Sequence, residues 1–120
     1  MYTGVSVGSI ETITIAQNST KFSQTIARFD KCAGFAGAFI TISAGSLTIS
    51  QQCGFKEGEL FYDPKDKNNN SLGVVCSLFA AGTYYIQYDP VVAPFIRWKF
   101  VEANIGSATI TFLPFLLEDR

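Results

Sequence analysis

The sequence has no histidine, few charges and no long apolar run. Its 120 residues include no His, one Met and one Trp, and charged residues make up 16%. Because histidine is absent, Ser–His and Cys–His nucleophilic arrangements are excluded, and we expect no enzyme. No uninterrupted apolar stretch approaches the roughly 20 residues of a membrane-spanning helix. We therefore expect no contact with a membrane.

The sequence also contains no clear set of ligands for a metal or a cofactor. The three cysteines, Cys32, Cys53 and Cys76, lie far apart and include no Cys-x-x-Cys pair, so zinc is not expected. We interpret the three cysteines as small apolar side chains of the core, and a disulfide between two of them is the alternative. The polar stretch at 63–71 offers oxygen ligands, but its two lysines would repel a cation. We predict a connecting loop there, and neither a metal nor a cofactor.

The charge balance excludes a broad class of partners. The formal net charge is −1 and no basic run occurs, so the field of a nonspecific nucleic-acid binder is missing. The acidic residues fall mostly in turns or near residue 120, and no two are marked as a catalytic pair. We expect them to be solvated. The first residues lack the basic and apolar regions of a secretory signal, so we expect synthesis in the cytoplasm.

What the sequence does contain favours β-structure. Hydrophobic residues make up 48%, and 11 phenylalanines occur. Aromatic and β-branched side chains fit pleated surfaces, and apolar residues alternate with polar ones at a period of two. A single domain over residues 1–120 is long enough to bury roughly 65% of its unfolded surface.

The clearest local pattern is the near-palindrome FITISAGSLTIS at Phe39–Ser50. Folding it at Ala44-Gly45 predicts a β-hairpin with apolar side chains on one face and hydroxyls on the other. Glycine suits one positive-φ position of a tight turn, whereas Ala44 suits the other poorly, so a bulged or longer loop is the alternative. The predicted facing pairs are Ser43–Ser46, Ile42–Leu47, Thr41–Thr48 and Ile40–Ile49.

Further short strands are separated by turn signals about every ten residues. About eight strands of this kind predict an antiparallel β-sandwich, or jelly-roll-like, all-β domain. Pro114 is predicted to lie at an edge or a bulge, because proline donates no ladder hydrogen bond. The predicted segments are 5–16, 22–29, 59–62, 72–79, 83–88, 95–102 and 108–117, besides the hairpin.

Two aromatic strands give predictions about exposed side chains. In the strand at 95–102, Trp98 is predicted to face the core, while Arg97 and Lys99 face the other way. These two cations suit ion pairs with a neighbouring subunit, or simply contact solvent. In the strand at 83–88, Tyr85 is predicted to point outward while Tyr84 and Tyr88 pack inward with the core. Exposed tyrosines leave a carbohydrate-binding module as an alternative function.

Two longer stretches, residues 45–66 and 84–119, resemble small virion proteins of tailed phages. The second contains a Pro-aromatic-Ile-Arg strand, an Asn-containing turn and a final Thr-rich strand. Proteins of this type include head decoration proteins and the attachment domains of head or tail fibres, and they are not enzymes. The matching residues are Pro94, Phe95, Ile96, Arg97, Asn104, Thr109, Thr111 and Leu113.

This resemblance implies a structural virion protein, made in the host cytoplasm, that decorates a capsid. We expect it to form a homo-oligomer, a trimer, and to bind the major capsid protein or another virion protein. Repetition over a lattice would supply avidity. A small β-barrel that binds an apolar ligand is a further alternative. The predicted contact residues are Val5 and Val7 in the segment 1–9, Pro114 and Phe115 in the segment 114–117, and Arg97 with Lys99.

Overall fold

The computed structural model consists of β-strands joined by turns and loops. It describes residues 2–6, 10–27, 32–44, 46–55, 60–78, 80–88, 93–103 and 106–119. Within these ranges no helix is long and apolar enough to cross a bilayer. The strands are β1 (Tyr2–Ser6), β2 (Glu11–Ile15), β3 (Thr20–Phe22), β4 (Ile26–Ala27), β5 (Cys32–Ile42), β6 (Leu47–Gly54), β7 (Val74–Leu78), β8 (Gly82–Tyr88), β9 (Phe95–Glu102) and β10 (Ala108–Asp119).

The ten described strands form two antiparallel sheets. In sheet I, β10 lies between β5 and the pair β1 and β2, and β8 flanks β5. In sheet II, β9 lies between β6 and the pair β3 and β4, and β7 flanks β6. The short strands β1 and β2 share one position beside β10, and β3 and β4 share one position beside β9, so the ten described strands occupy eight positions. The order is that of an eight-stranded jelly roll, which confirms the predicted fold class.

Alternating side chains of the two sheets meet in one apolar core. On β9 every second residue is buried, and Ile96, Trp98 and Phe100 are all 0% exposed. From sheet I, Phe112 packs against both rings, with centroids 5.2 Å from Trp98 and 5.1 Å from Phe100. Each such side chain stabilises the fold by about 1.5–3 kcal/mol through burial. The predicted inward orientation of Trp98 is confirmed.

The predicted hairpin at 39–50 is wrong. β5 pairs with β10 and β8, whereas β6 pairs with β9 and β7, so the two halves of the palindrome lie in opposite sheets. The connection between them is an arch across the core. Ser43 N–H donates to Thr109 O of sheet I at 3.0 Å, and Ala103 N–H of sheet II donates to Ser46 O at 2.9 Å.

The physical reason is that alternation determines which residues face inward but not which strand lies alongside. Ile40, Ile42, Leu47 and Ile49 are all buried, as a hairpin with one apolar face would also require. In the arch they face each other across the sandwich instead of along one sheet. The hydroxyl face is therefore divided between two surfaces of the molecule.

Pro114 lies in the central strand β10, not at an edge. It faces Ala38 on β5. On the other side of β10, the described pairing with β2 ends at Phe112 and the pairing with β1 begins at Phe115. Proline has no N–H to donate, and it is accommodated here because position 114 falls between the segment of β10 that pairs with β2 and the segment that pairs with β1. The register irregularity in β10 lies further on, between Leu116 and Glu118.

Glu102 is fully buried at the end of β9. Its Oε1 accepts hydrogen bonds from the backbone N–H of Asn18 at 3.0 Å and of Gly106 at 3.4 Å. Its Oε2 accepts from Ser46 N–H at 3.1 Å. This carboxyl group therefore joins three separate connections at one end of the sandwich. The expectation that the acidic residues are solvated is wrong for Glu102.

Candidate interaction surfaces

The outward face of sheet I has no charge among its described side chains. One row across four strands consists of Thr12, Thr111, Thr41 and Thr83, each opposite the next. The hydroxyls of Thr41 and Thr83 lie 3.1 Å apart. The face as a whole comprises Thr12, Thr14, Gly37, Phe39, Thr41, Thr83, Tyr85, Gln87, Thr109, Thr111, Leu113 and Phe115.

An aromatic cluster, formed by Phe39, Tyr85 and Phe115, lies on this face. The Phe39 ring centroid is 4.6 Å from that of Tyr85 and 5.2 Å from that of Phe115. Phe39 is 47% exposed and Tyr85 is 49% exposed, so large parts of both rings contact solvent. A Cβ at Gly37 would lie 3.0 Å from the Tyr85 hydroxyl. The Tyr85 ring can therefore pack over β5 because residue 37 has no side chain. The cluster is an ordered apolar surface.

The other tyrosines do not extend the aromatic cluster. Tyr84 and Tyr88 pack against the core, which confirms the predicted inward orientation. Tyr88 hydroxyl accepts a hydrogen bond from Trp98 Nε1 at 3.0 Å. Tyr62 is 56% exposed, but it pairs with Cys53 of sheet II. Tyr62 and Tyr85 therefore lie on different sheets and form no common platform.

On the outward face of sheet II, Arg97 is held between two aromatic rings. Its guanidinium carbon lies 3.9 Å from the Phe22 ring centroid and 4.4 Å from that of Phe61. Its Nε donates to Gln52 Oε1 at 2.9 Å, and Gln52 Nε2 donates to Asp63 Oδ1 at 3.0 Å. Partial burial lowers the pKa of Arg97 from its ordinary value, although a guanidinium stays charged.

Lys99 lies beside this arrangement, opposite Phe22 on β3 and Ser50 on β6. It lines a cleft of about 180 Å³ between sheet II and the loop that precedes β7. The loop contributes Asp63, Lys65 and Ser71 to the same cleft. Two lysines, one aspartate and two serines, Lys65, Lys99, Asp63, Ser50 and Ser71, thus line one small volume.

The polar stretch at 63–71 is a loop, as predicted, with an isolated bridge between Lys65 and Ser71. Asp66 organises its tip by accepting hydrogen bonds from the backbone N–H of Asn68 at 2.8 Å and of Asn70 at 2.9 Å. Bonds from the Asn70 backbone and side chain lower the pKa of Asp66. Among the described residues, no group of three or more His, Cys, Asp or Glu is placed to hold a metal.

Among the described side chains, Cys53 and Cys76 are free thiols, and both are partly buried. Desolvation raises the pKa of both, that of Cys76 to about 11. Cys76 also packs against the core, in agreement with the interpretation of the cysteines as small apolar side chains.

The predicted contact residues are distributed over both faces. Arg97 and Lys99 belong to sheet II, whereas Phe115 belongs to the aromatic cluster of sheet I. Pro114 is buried on the core side of the same strand. Their participation in an interface stays a prediction. Val5 lies on β1 opposite Leu116, and Val7 falls outside the described residues.

Sequence reasoning missed Phe39 and the cleft around Lys99. The alternation along β5 could have predicted that Phe39 is exposed. Its neighbours Ala38 and Ile40 are both buried, and successive residues of a strand point to opposite faces, so Phe39 points outward. No comparable signal marks the cleft, because its residues come from distant segments of the chain. Asp63 and Ser71 meet Lys99 only through the folding of the loop onto sheet II.

No protein-family model matches the chain. A search of the curated proteins finds no matching sequence either. The resemblance of residues 45–66 and 84–119 to phage virion proteins therefore stays a prediction from the residue pattern.

Proposed function

We propose that this protein is a non-enzymatic structural component that assembles with copies of itself through the outward face of sheet I. The observation that carries the proposal is the absence of charge among the described side chains of this face, together with its half-exposed aromatic cluster. Large contiguous apolar patches on soluble proteins mark interaction surfaces. The aromatic cluster on β5, β8 and β10 forms the apolar part of this face.

A second copy of this chain suits the face because neither copy brings a charge to it among the side chains that the structure describes. A partner selected by electrostatic complementarity would require a charged face here. Around a symmetry axis the same surface of each copy approaches its equivalents, and any charge near the axis would meet its own kind or need a matched opposite. Threonines and aromatic side chains avoid this repulsion and allow hydrogen bonds between hydroxyls.

The available area is adequate for a stable contact. The described side chains of this sheet extend along β10 from residue 108 to residue 115, which at about 3.3 Å per residue is about 26 Å. Four strand positions about 4.8 Å apart span about 19 Å, so the described face covers on the order of 500 Å². A contact between two such faces buries on the order of 1,000 Å², the lower bound for a specific interface. The aromatic rings supply the apolar centre that such an interface needs.

We further propose that the oligomer is a trimer and that it decorates a virion. The jelly-roll topology suits this role, because viral capsid domains are among the proteins that use it. The resemblance of residues 84–119 to phage virion proteins supports the same role. Capsid, portal or tail genes next to the gene would support it, whereas unrelated metabolic genes on both sides would count against it.

Light scattering coupled to size-exclusion chromatography tests the assembly. We expect a single species of three copies at micromolar concentration for the unmodified protein. The double variant Phe39→Thr/Tyr85→Thr should be a folded monomer, because threonine keeps the β-propensity but removes the rings. Tyr62→Thr is the matched control, since Tyr62 is 56% exposed on the other sheet, and should leave the oligomer intact. A monomer at every concentration of the unmodified protein would refute the proposal.

Carbohydrate binding is the second candidate, because the adjacent half-exposed rings of Phe39 and Tyr85 suit stacking against a sugar. A glycan array probed with the unmodified protein and with Tyr85→Ala distinguishes the two functions. Binding that is lost in Tyr85→Ala would favour the sugar. An array without signal, together with a stable oligomer, would favour assembly.

A further inference from the structure

The cleft beside Lys99 has an excess of positive charge among its lining residues, and a hydrogen bond within it holds one of its two lysines in place. Lys65 Nζ donates to Ser71 Oγ at 3.0 Å, which holds one ammonium group at the rim. Lys99 extends from the central strand β9, where Phe22 and Ser50 flank it. The two lysines line a single volume of about 180 Å³.

The carboxylate in the cleft is already used by a different partner. Asp63 accepts from Gln52, and Gln52 in turn accepts from Arg97. The Arg97 guanidinium and the Asp63 carboxylate thus belong to one hydrogen-bonded chain. The two lysines provide positive charge beyond what Asp63 balances. In a protein with a net charge of −1, this part of the surface is locally positive.

One exposed apolar side chain lines the cleft and two others lie near it in the fold. Val74, which lines it, is 60% exposed, and Leu72 in the same loop is 47% exposed. Phe22, opposite Lys99, is 42% exposed. A free anion would use only the ammonium groups and hydroxyls. A protein segment with an acidic side chain next to aliphatic ones would use both parts of the surface.

We propose that this cleft on sheet II binds an acidic side chain of a partner protein, within a segment that also presents aliphatic residues. The carboxylate occupies the position between Lys65 and Lys99 and accepts hydrogen bonds from Ser50 or Ser71. This surface is separate from the outward face of sheet I. The protein therefore has one face for its own copies and another for a different partner.

The probes are the peptide acetyl-Val-Glu-Leu-amide, its glutamine analogue acetyl-Val-Gln-Leu-amide, and acetate. Each is titrated into the ¹⁵N-labelled full chain up to about 10 mM, since an isolated contact of this size binds weakly. The glutamate peptide should shift the amides of Ser50, Lys65, Ser71, Val74 and Lys99. The glutamine peptide and acetate should bind at least about tenfold more weakly.

Lys99→Gln should weaken the glutamate peptide about tenfold, and about 0.5 M salt should do the same. Lys67→Gln is the matched control, because Lys67 is exposed on the same loop but does not line the cleft. Trp98 fluorescence verifies that each variant is folded, and Lys65→Gln replaces Lys99→Gln if that variant unfolds.

Three outcomes would overturn the proposal: equal binding of the glutamate and glutamine peptides, equal binding of acetate and the glutamate peptide, or no shifts at these amides. Acetate binding as tightly would mean a site for free anions only. Each result is independent of assembly, because the monomeric Phe39→Thr/Tyr85→Thr variant can be titrated in the same way.

Discussion

Replacing Glu102 by glutamine should destabilise the fold more than any other single-atom change at a described carboxyl group. Glu102 is 0% exposed and accepts backbone hydrogen bonds from Asn18, Ser46 and Gly106. The Glu102→Gln variant keeps the volume and shape of the side chain. It replaces one acceptor oxygen with an NH₂ group, so at least one of these backbone N–H groups then faces a donor.

The expected cost follows from the hydrogen bonds. A buried N–H left without an acceptor costs about 1–3 kcal/mol, and the NH₂ group that replaces the oxygen repels that N–H as well. Together these effects give about 3 kcal/mol, a large fraction of the roughly 5–15 kcal/mol that stabilises a domain. With a urea dependence of about 1.5 kcal/mol per molar, the unfolding midpoint should fall by about 2 M.

Equilibrium unfolding in urea, followed by the fluorescence of Trp98, measures this change. The single tryptophan is buried in the core and reports on the whole sandwich. All variants are compared at one protomer concentration, because assembly adds to the apparent stability. Glu11→Gln is the control: Glu11 is only partly buried and accepts from Gln24 N–H at 2.9 Å, so its loss should cost about 1 kcal/mol or less.

Unfolding of Glu102→Gln at the same urea concentration as the unmodified protein, or as Glu11→Gln, would contradict the role assigned to this carboxyl group. Amide hydrogen exchange gives a second readout. Exchange at Asn18, Ser46 and Gly106 should accelerate in Glu102→Gln more than exchange in the middle of β9. Uniform acceleration would mean that the carboxyl group does not act on these three connections in particular.

Three other predictions concern the loop before β7 and the thiols. Gly73→Ala should cost about 1–3 kcal/mol in urea unfolding, since a Cβ would lie 2.5 Å from Gln51 O, whereas Gly106→Ala, with open space around it, should be near neutral. Burial raises the pKa of the Cys76 thiol from 9.0 to about 11. At pH 8 this thiol should therefore react with a thiol reagent about 100-fold more slowly in the folded protein than in the unfolded protein, as measured by peptide mapping. Equal rates would contradict this. The pKa of Asp66 is lowered from 3.8, so its bonds stabilise the loop above that pH and are lost as the pH falls through the lower folded value. Exchange at the Asn70 amide should therefore be protected down to about pH 4 and lose protection only below it, and loss of protection near neutral pH would contradict the assignment.

The fold class and much of the core were predictable from local patterns. Trp98 and Phe100 alternate with Arg97 and Lys99, and a strand converts that alternation directly into two faces. The same reasoning separated Tyr85 from Tyr84 and Tyr88. Period-two patterning depends only on the chain itself, so it can be read without knowledge of any neighbouring strand.

The partners of each strand were not predictable in this way. A hairpin and an arch place Ile42 and Leu47 on the same apolar side, and the difference lies in β8, β9 and β10, which come much later in the chain. The cleft around Lys99 depends on the same kind of distant contact. Pairing is a long-range property, and local propensity carries no information on which of several similar strands will be adjacent.

Antiparallel β-structure, the side chains that alternate inward and the lack of histidine can thus be read directly from the residues. That the palindrome at 39–50 joins two sheets, and that Glu102 is buried beneath three connections, follows only from the packed sheets. The same holds for Phe39, Tyr85 and Phe115, which meet on a face without charge among its described side chains. Inward and outward positions are fixed along one strand, whereas surfaces and buried polar contacts form only when strands from distant parts of the chain pack together.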